Sequence, residues 1–351
     1  YNHFFLYLLS KINNYFSCMK LLRKFLFFIS PLYYIVSFIR NLLYDTSLFK
    51  STKFNLPVIG IGNLAIGGTG KSPMIEYLIH LLSQEFNIAT LSRGYGRKTN
   101  TFKIATKDST HFDIGDEPLQ FYNKHDNLIV SVDNNRVNGI QSLLQISNPP
   151  DVILLDDSYQ HRKLIPGLSI LLSDYNNLYY DDYILPFGDL REPRSSSNRA
   201  DIVIVTKCPN NLSSSKKLEI KSKLQLKVSQ KLFFSSINYS ETVIIGNKKV
   251  EFINFITQEF TLVTGLANSN HLVNYLSENK CDFNHLKFKD HYNYKSKDLD
   301  NVDRNVNILT TEKDYAKLIE VFPEMNVYYL PIKVGIESNQ EFDKIILSYC
   351  R

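Results

Sequence analysis

Tryptophan is missing from this 351-residue chain and cysteine occurs only four times. Cys18, Cys208, Cys281 and Cys350 are scattered, with no C-x-x-C pair and no histidine at ligand spacing. That excludes a sequence-encoded zinc site or disulfide framework and points to a reducing, cytosolic setting. Charge of either sign is thinly spread: 40 Lys and Arg stand against 35 Asp and Glu, a net +5, without a long basic run. A nucleic-acid footprint is therefore not indicated, whereas a mild positive excess suits an anionic membrane surface. Internal repeats are missing too. The uncharged apolar stretch at residues 25–39 is short of the roughly 18 residues a membrane span requires, and no small-residue cleavage site follows Ile39. The 22 Tyr and 23 Phe, with abundant Asn, Lys and Ile, reflect compositional bias and carry no function.

What is present is a 44% hydrophobic chain, long enough for a substantial core and for two domains. Its first landmark is that 25–39 stretch, aromatic-rich, broken by Pro31, and bracketed by Lys20, Arg23 and Lys24 before and Arg40 after. Such a segment lies in, or dips into, one leaflet, with its cations on anionic headgroups; a buried core helix is the competing reading. The first methionine is Met19, so translation is expected to start there, leaving residues 1–18 as an unassigned extension and 19–50 as a membrane-associated helix region.

The most telling stretch follows, Gly60-Ile-Gly-Asn-Leu-Ala-Ile-Gly-Gly-Thr-Gly-Lys-Ser-Pro73, set between an apolar run (Leu56 to Ile61) and an apolar-periodic segment (Met74, Ile75, Leu78, Ile79, Leu82). It predicts a strand, a phosphate-binding loop and a helix, with Pro73 in the helix's first turn. Loop positions Ala65, Ile66, Gly67, Gly68, Thr69, Gly70, Lys71 and Ser72 are expected to hold a nucleoside triphosphate. Backbone amides and the Lys71 ammonium would meet phosphate oxygens, and the Ser72 hydroxyl would meet Mg²⁺. Ala65 stands where the strict pattern has glycine.

From residue 56 to about 207, apolar runs alternate with helical segments: Val58 to Ile61, Ile88 to Leu91, Leu128 to Val132, Val152 to Leu155, Ile170 to Leu172 and Ile202 to Thr206. The class is α/β, a mostly parallel P-loop-type sheet with helices on both faces. Past about residue 225, closer-spaced strand candidates (Lys231 to Ile237, Thr242 to Ile245, Thr261 to Thr264, Val306 to Leu309, Val327 to Leu330) suggest a smaller C-terminal α/β domain. The expected division is 51–225 and 226–351.

Chemistry-bearing residues cluster at the ends of these runs. Asp156 and Asp157 close an apolar strand, the arrangement that delivers a carboxylate to Mg²⁺ beside a phosphate loop. Ser158-Tyr-Gln160-His161-Arg162 follows directly. Arg93 and Tyr95 sit in Ser92-Arg-Gly-Tyr-Gly-Arg97 at the carboxyl edge of a strand, where a phosphate contact and a solvated basic loop both fit. Gly115-Asp116-Glu117-Pro118 offers either a helix cap or a carboxylate that takes a hydroxyl proton. Arg191, Arg194 and Arg199 could offset phosphate charge or form a surface cluster. Lys289-Asp-His291-Tyr292 lies in the second domain.

In order, the loop, Ser-Arg-Gly-Tyr-Gly, Gly-Asp-Glu-Pro, Asp-Asp-Ser-Tyr-Gln-His-Arg, Leu-Arg-Glu-Pro, Asp-His-Tyr and Thr310-Thr-Glu-Lys-Asp314 resemble the tetraacyldisaccharide 4'-kinase (lipid A 4'-kinase) family, across residues 19 to about 330. The resemblance implies a Gram-negative, membrane-associated kinase that moves the γ-phosphoryl of ATP onto the 4'-hydroxyl of an acylated glucosamine disaccharide 1-phosphate, giving lipid IVA. It implies Asp116 as base, assisted by His291, with Lys71 at the phosphates, Mg²⁺ on Ser72 and Asp156, and substrate or phosphate contacts from Arg93, Tyr95, Glu117, Asp157, Gln160 and Arg191. It also implies a two-stranded hinge between the domains, an N-terminal helix at the cytoplasmic face of the inner membrane, peripheral or monotopic, and no obligate protein partner. Departures are Ser72 for the family's usual threonine and Ser158-Tyr159 for Gly-Phe; each keeps the hydroxyl or the aromatic face. A P-loop ATPase or GTPase switch of the partitioning or metallochaperone type is the alternative, weakened by Ile66 where that group has lysine and by the lack of paired cysteines. A non-catalytic membrane adaptor with a decayed loop fits poorly with Lys71 and the acidic pair.

Overall fold

The apolar runs of the first half become the strands of one large sheet. The computed structural model describes residues 26–266, 268–290 and 292–351. Its strands are β1 (Val58–Asn63), β2 (Ile88–Ser92), β3 (Lys103–Ile104), β4 (Ile129–Val132), β5 (Val152–Leu155), β6 (Leu168–Asp174), β7 (Ile202–Thr206) and β8 (Lys231–Tyr239). A second group follows: β9 (Thr242–Ile245), β10 (Lys248–Glu251), β11 (Phe260–Thr264), β12 (Phe283–Lys287), β13 (Asn307–Thr310), β14 (Val327–Tyr329) and β15 (Ile332–Ile336). β1, β2, β5 and β7 are buried along their whole length. Both faces of a parallel sheet are covered by helices, which is why these strands read as unbroken apolar runs rather than alternating ones.

The nine-stranded sheet runs β15-β8-β7-β6-β1-β5-β2-β4-β3. β1 is central, parallel to β5 on one side and β6 on the other. The chain travels outward one way through β2 and β4 and the other way through β6, β7 and β8. A crevice therefore opens at the carboxyl end of β1, the switch point where open α/β sheets bind ligands. The helix Lys71–Leu82 closes one face, burying Met74, Ile75, Leu78, Ile79 and Leu82 as a single stripe.

The smaller sheet runs β10-β9-β14-β13-β11-β12, with Phe260, Leu262, Leu276 and Leu309 buried on one side and Val263, Ile308, Leu318 and Val327 on the other. It takes in less of the chain than the 226 boundary allots to it. β8 extends the large sheet, parallel to β7 from Ile202↔Lys231 to Val205↔Phe234. The chain returns through β15, antiparallel to β8, and ends in a helix, Asn339–Cys350, whose Phe342 and Ile346 enter the large core. Strand pairing, which local texture does not encode, decides this. β3, β10, β12 and β15, short or only partly buried, have no counterpart in the sequence reading.

The N-terminal helix is inside out. A 3₁₀ turn, Leu26–Ile29, leads into Ser30–Asp45, in which only Ser30, Ser37 and Asn41 are buried. Phe28, Leu32, Ile35, Val36, Ile39 and Leu42 face outward. Asn41 Nδ2 donates to Glu192 Oε2 and Ser196 Oγ, both at 3.0 Å, and Ser30 Oγ accepts from the Phe187 amide at 3.1 Å. A buried core helix would show the reverse. The 20-residue segment Leu26–Asp45 is long and apolar enough to cross a membrane by length and composition alone; the charge-free stretch is shorter because Arg40, whose guanidinium donates to the Gln160 carbonyl at 2.6 Å, interrupts it. Residues 1–18, with Lys20, Arg23 and Lys24, lie outside the described residues.

Candidate active site

After β1 the backbone first runs extended, pairing with Asp189–Arg191: the Ile66 amide donates to the Asp189 carbonyl at 2.8 Å and the Arg191 amide to that of Leu64 at 2.7 Å. Ala65 sits buried in this stretch, bridged to Leu190. An extended residue does not need glycine, which explains the departure from the strict loop pattern. The turn proper comes at Gly67 (φ +107°) and Gly70 (φ +86°), values that L side chains rarely adopt. Thr206 Oγ1 donates to the Thr69 carbonyl at 2.8 Å, and Lys207 Nζ to the Gly68 carbonyl and to Asp174 Oδ2, bracing the loop from the end of β7. Lys71 and Ser72 open the helix, where first-turn amides lack partners within the helix and the dipole favours an anion.

Asn63, fully buried at the end of β1, is the hub beneath this loop. Its side-chain oxygen accepts from Lys71 Nζ at 3.3 Å and Arg191 Nη2 at 2.6 Å; its amide donates to the Ala65 carbonyl at 2.6 Å. Its main-chain oxygen accepts from Gln160 Nε2 at 2.9 Å and Arg191 Nη2 at 3.1 Å. Sequence reading gave Asn63 no role. The available signal was a polar residue closing an otherwise apolar buried strand.

β5 lies next to β1, so its two acids arrive beside Lys71. Asp157 Oδ1 is 3.6 Å from Lys71 Nζ, and Arg191 grips both Asp157 oxygens at 3.0 and 3.1 Å. Asp157 holds φ at +46°, a left-handed conformation that aspartate tolerates better than most residues. Burial works to raise its carboxyl, but the Arg191 fork and the Lys71 charge prevail and hold it well below the usual range. Asp156 differs. It is buried, and its Oδ1 has no hydrogen-bond partner among the described residues. Desolvation foremost, then Glu117, with Asp157 adding and Lys71 and Arg136 opposing, raises it to about 7.

Arg136, also missed from sequence, lies buried against this acid. Its guanidinium donates to the carbonyls of Asp133 at 2.5 Å and Asp156 at 3.3 Å, and desolvation lowers it to about 10. His161 is likewise lowered, to about 4, by burial and by Arg136, and is neutral at pH 7. Ser72 Oγ donates to Glu117 Oε1 at 2.9 Å. An unpartnered buried carboxylate oxygen, a hydroxyl and a second carboxylate form a hard-oxygen set that fits Mg²⁺. Among the described residues no three His, Cys, Asp or Glu side chains make a cage of their own. Magnesium does not require one, because it is commonly completed by substrate phosphates and water.

A buried carboxyl with its pKa raised from 3.8 to about 7 binds its proton more tightly folded than unfolded. Native stability is therefore lost as pH rises from about 4 through about 7, and the loss persists above. Asp156→Asn is expected to raise the Tm of the metal-free protein more at pH 8 than at pH 5. Thermal melts in EDTA check this, and an unchanged or lower Tm at pH 8 contradicts it.

The second wall is built by two pressed turns. A Cβ on Gly94 would meet the Ile114 carbonyl at 2.6 Å, and one on Gly115 the Tyr95 carbonyl at 2.9 Å. Asp116 and Glu117 then open the helix Asp116–Lys124, whose N-cap is Gly115 and carries no side-chain cap. The two acids therefore stand in the first turn, where the helix dipole favours negative charge, and neither serves as the cap. Asp116 Oδ2 lies 2.5 Å from Lys317 Nζ, on a helix of the smaller sheet, and Arg93 and Tyr95 are exposed on the pressed turn. Of three clustered arginines only Arg191 reaches the loop: Arg194 donates to the Asp182 carbonyl and Arg199 to Glu192. Thr311 and Asp314 cap the helix Glu312–Val321. His291 lies outside the described residues.

Glycine turn, helix-opening Lys-Ser and the acidic end of the adjacent strand together define a P-loop nucleotide-dependent enzyme. A family model described as tetraacyldisaccharide-1-P 4'-kinase matches residues 22–351, and the chain belongs to that family. It is similar to the tetraacyldisaccharide 4'-kinase of Flavobacterium johnsoniae, 47% identical over 337 residues covering 95% of this chain and 98% of that one. It is also similar to that of Bacteroides fragilis, 40% identical over 359 residues covering 94% of each. The crystal structure of LpxK from Aquifex aeolicus in complex with ATP superposes with a TM-score of 0.75 at 28% identity, covering 94% of this chain and all of that one.

Proposed function

We propose that this chain transfers the γ-phosphoryl group of ATP to the 4'-hydroxyl of a tetraacyldisaccharide 1-phosphate, giving lipid IVA in lipid A biosynthesis. The observation that carries the reading is the Lys71 ammonium 3.6 Å from Asp157, next to an Asp156 oxygen left without a partner. Phosphoryl transfer asks a protein mainly to align reactants and offset charge. Lys71 and the first-turn amides meet the β- and γ-phosphates, while Asn63 holds Lys71 in line. Ser72 and Asp156 would hold Mg²⁺, with Glu117 beside them, and the bound ion would neutralise phosphate charge. Asp157, locked to Arg191, fixes that guanidinium toward the loop. Asp116 accepts the proton of the sugar hydroxyl, and by family resemblance His291 assists. Arg93 and Tyr95 contact the substrate, while the Gln160 amide secures Asn63. Turnover of ATP with and without the acylated disaccharide 1-phosphate, with product analysis, tests the reading; acceptor-independent turnover would favour the switch-type ATPase.

The site of action is the cytoplasmic face of the bacterial inner membrane, held peripherally or monotopically. The polar side of the N-terminal helix is occupied by protein, so its apolar side is the one free to enter a leaflet. Substituting Leu32, Val36 and Ile39 together by serine spares the buried polar stripe. Removing three exposed apolar side chains is expected to weaken partitioning onto anionic vesicles by about tenfold or more. Cosedimentation at the wild-type level would remove the anchor.

A further inference from the structure

The helix Glu312–Val321 of the smaller sheet touches the helix Asp116–Lys124 at both of its ends. Lys317 Nζ lies 2.5 Å from Asp116 Oδ2 at the start, and Glu312 lies 2.8 Å from Lys124 Nζ at the finish; Lys124 also holds Glu76 at 2.8 Å. The same helix anchors Asp290 through Lys313 at 3.1 Å. Its own first turn is fixed. Asp314 is buried and accepts from the Gly265 amide at 2.9 Å and from Thr311 Oγ1 at 2.8 Å. These lysines are therefore presented by a rigid element. The Lys317 and Asp116 side chains are only 16% and 22% exposed, so salt and water screen the pair far less than a surface bridge.

We propose that Lys317 is a positioning residue for phosphoryl acceptance, fixing the Asp116 carboxylate in its working orientation only while the smaller unit is docked. This rests on the reading of Asp116 as proton acceptor. Among the described residues two ion pairs, Lys317–Asp116 and Glu312–Lys124, clamp the units together, and of these the first includes the side chain that must meet the sugar hydroxyl. A proton acceptor held from the opposite unit is aligned by docking itself, which ties chemistry to closure of the crevice.

The test is a set of variants assayed with ATP and the acylated disaccharide 1-phosphate. Misplacing a reacting group costs up to about 100-fold, so Lys317→Met is expected to lower kcat by about 10- to 100-fold with both KM values held within about twofold. Unaltered KM for ATP also shows that the variant is folded. Lys317→Arg is expected to restore most of the loss, and Glu312→Gln, which breaks only the other clamp, to cost less than about threefold. In an Asp116→Asn background, Lys317→Met is expected to add less than about twofold, because coupled residues are not additive. Full kcat in Lys317→Met overturns the proposal, as does an equal loss in both backgrounds, an equal loss from Glu312→Gln, or a rise confined to the KM for the disaccharide. Wild-type turnover in Asp116→Asn sinks the proton-acceptor reading and the Lys317 role with it. A large Asp116→Asn loss beside a harmless Lys317→Met sinks the Lys317 role alone.

Discussion

Asp116→Asn is expected to lower turnover by about 10² to 10⁴, the usual worth of a positioned general base, while the KM for ATP stays within about twofold. The separation follows from placement. Asp116 stands on the wall formed by the pressed turns at Gly94 and Gly115 and pairs with Lys317 of the smaller sheet. Asparagine keeps the shape and can still accept from Lys317, so the change removes basicity with little effect on packing. Steady-state kinetics on both substrates checks it; turnover within about threefold of wild type would leave general-base catalysis without its residue.

Lys71→Met attacks the other reactant. Removing a single charge-stabilising donor from a preorganised site costs about 10² to 10³ in kcat, and here the KM for ATP is expected to rise as well. Methionine preserves the aliphatic stem but takes the donor from Asn63 Oδ1 and the cation from beside Asp157. Arg191 still pairs with both of those groups, so the loop should keep its shape and the loss should be chemical. Nucleotide titration and single-turnover rates distinguish this from collapse: a variant with normal kcat would show that Arg191 carries the phosphate charge alone.

Much of this was legible because local chemistry and fold agree. The glycines at 67 and 70 demand positive φ, the buried Val152 to Leu155 run has to be a central strand, and a strand ending in two acids beside a phosphate loop has few other uses. Asn63 and Arg136 were not legible. Their importance lies in partners from three separate segments, and a single polar letter at a strand or helix end gives no hint of a hub. The three arginines after Gly188 looked equivalent in sequence, yet only Arg191 follows the backbone pairing with Leu64 that aims it at the loop. That the large sheet continues past residue 226 was not legible for a related reason: pairing of β8 with β7 is a long-range choice.

Ile332 stands opposite Tyr239 in the ladder, and the Tyr349 hydroxyl reaches back to the main chain of Val58. During synthesis the ribosome must therefore release the entire smaller lobe before the strand and helix that finish the nucleotide-binding half can emerge. Contacts so distant along the chain make folding slow. The nascent enzyme spends that interval with one flank of its main sheet and part of its core uncovered, dependent on residues 332–350 for completion.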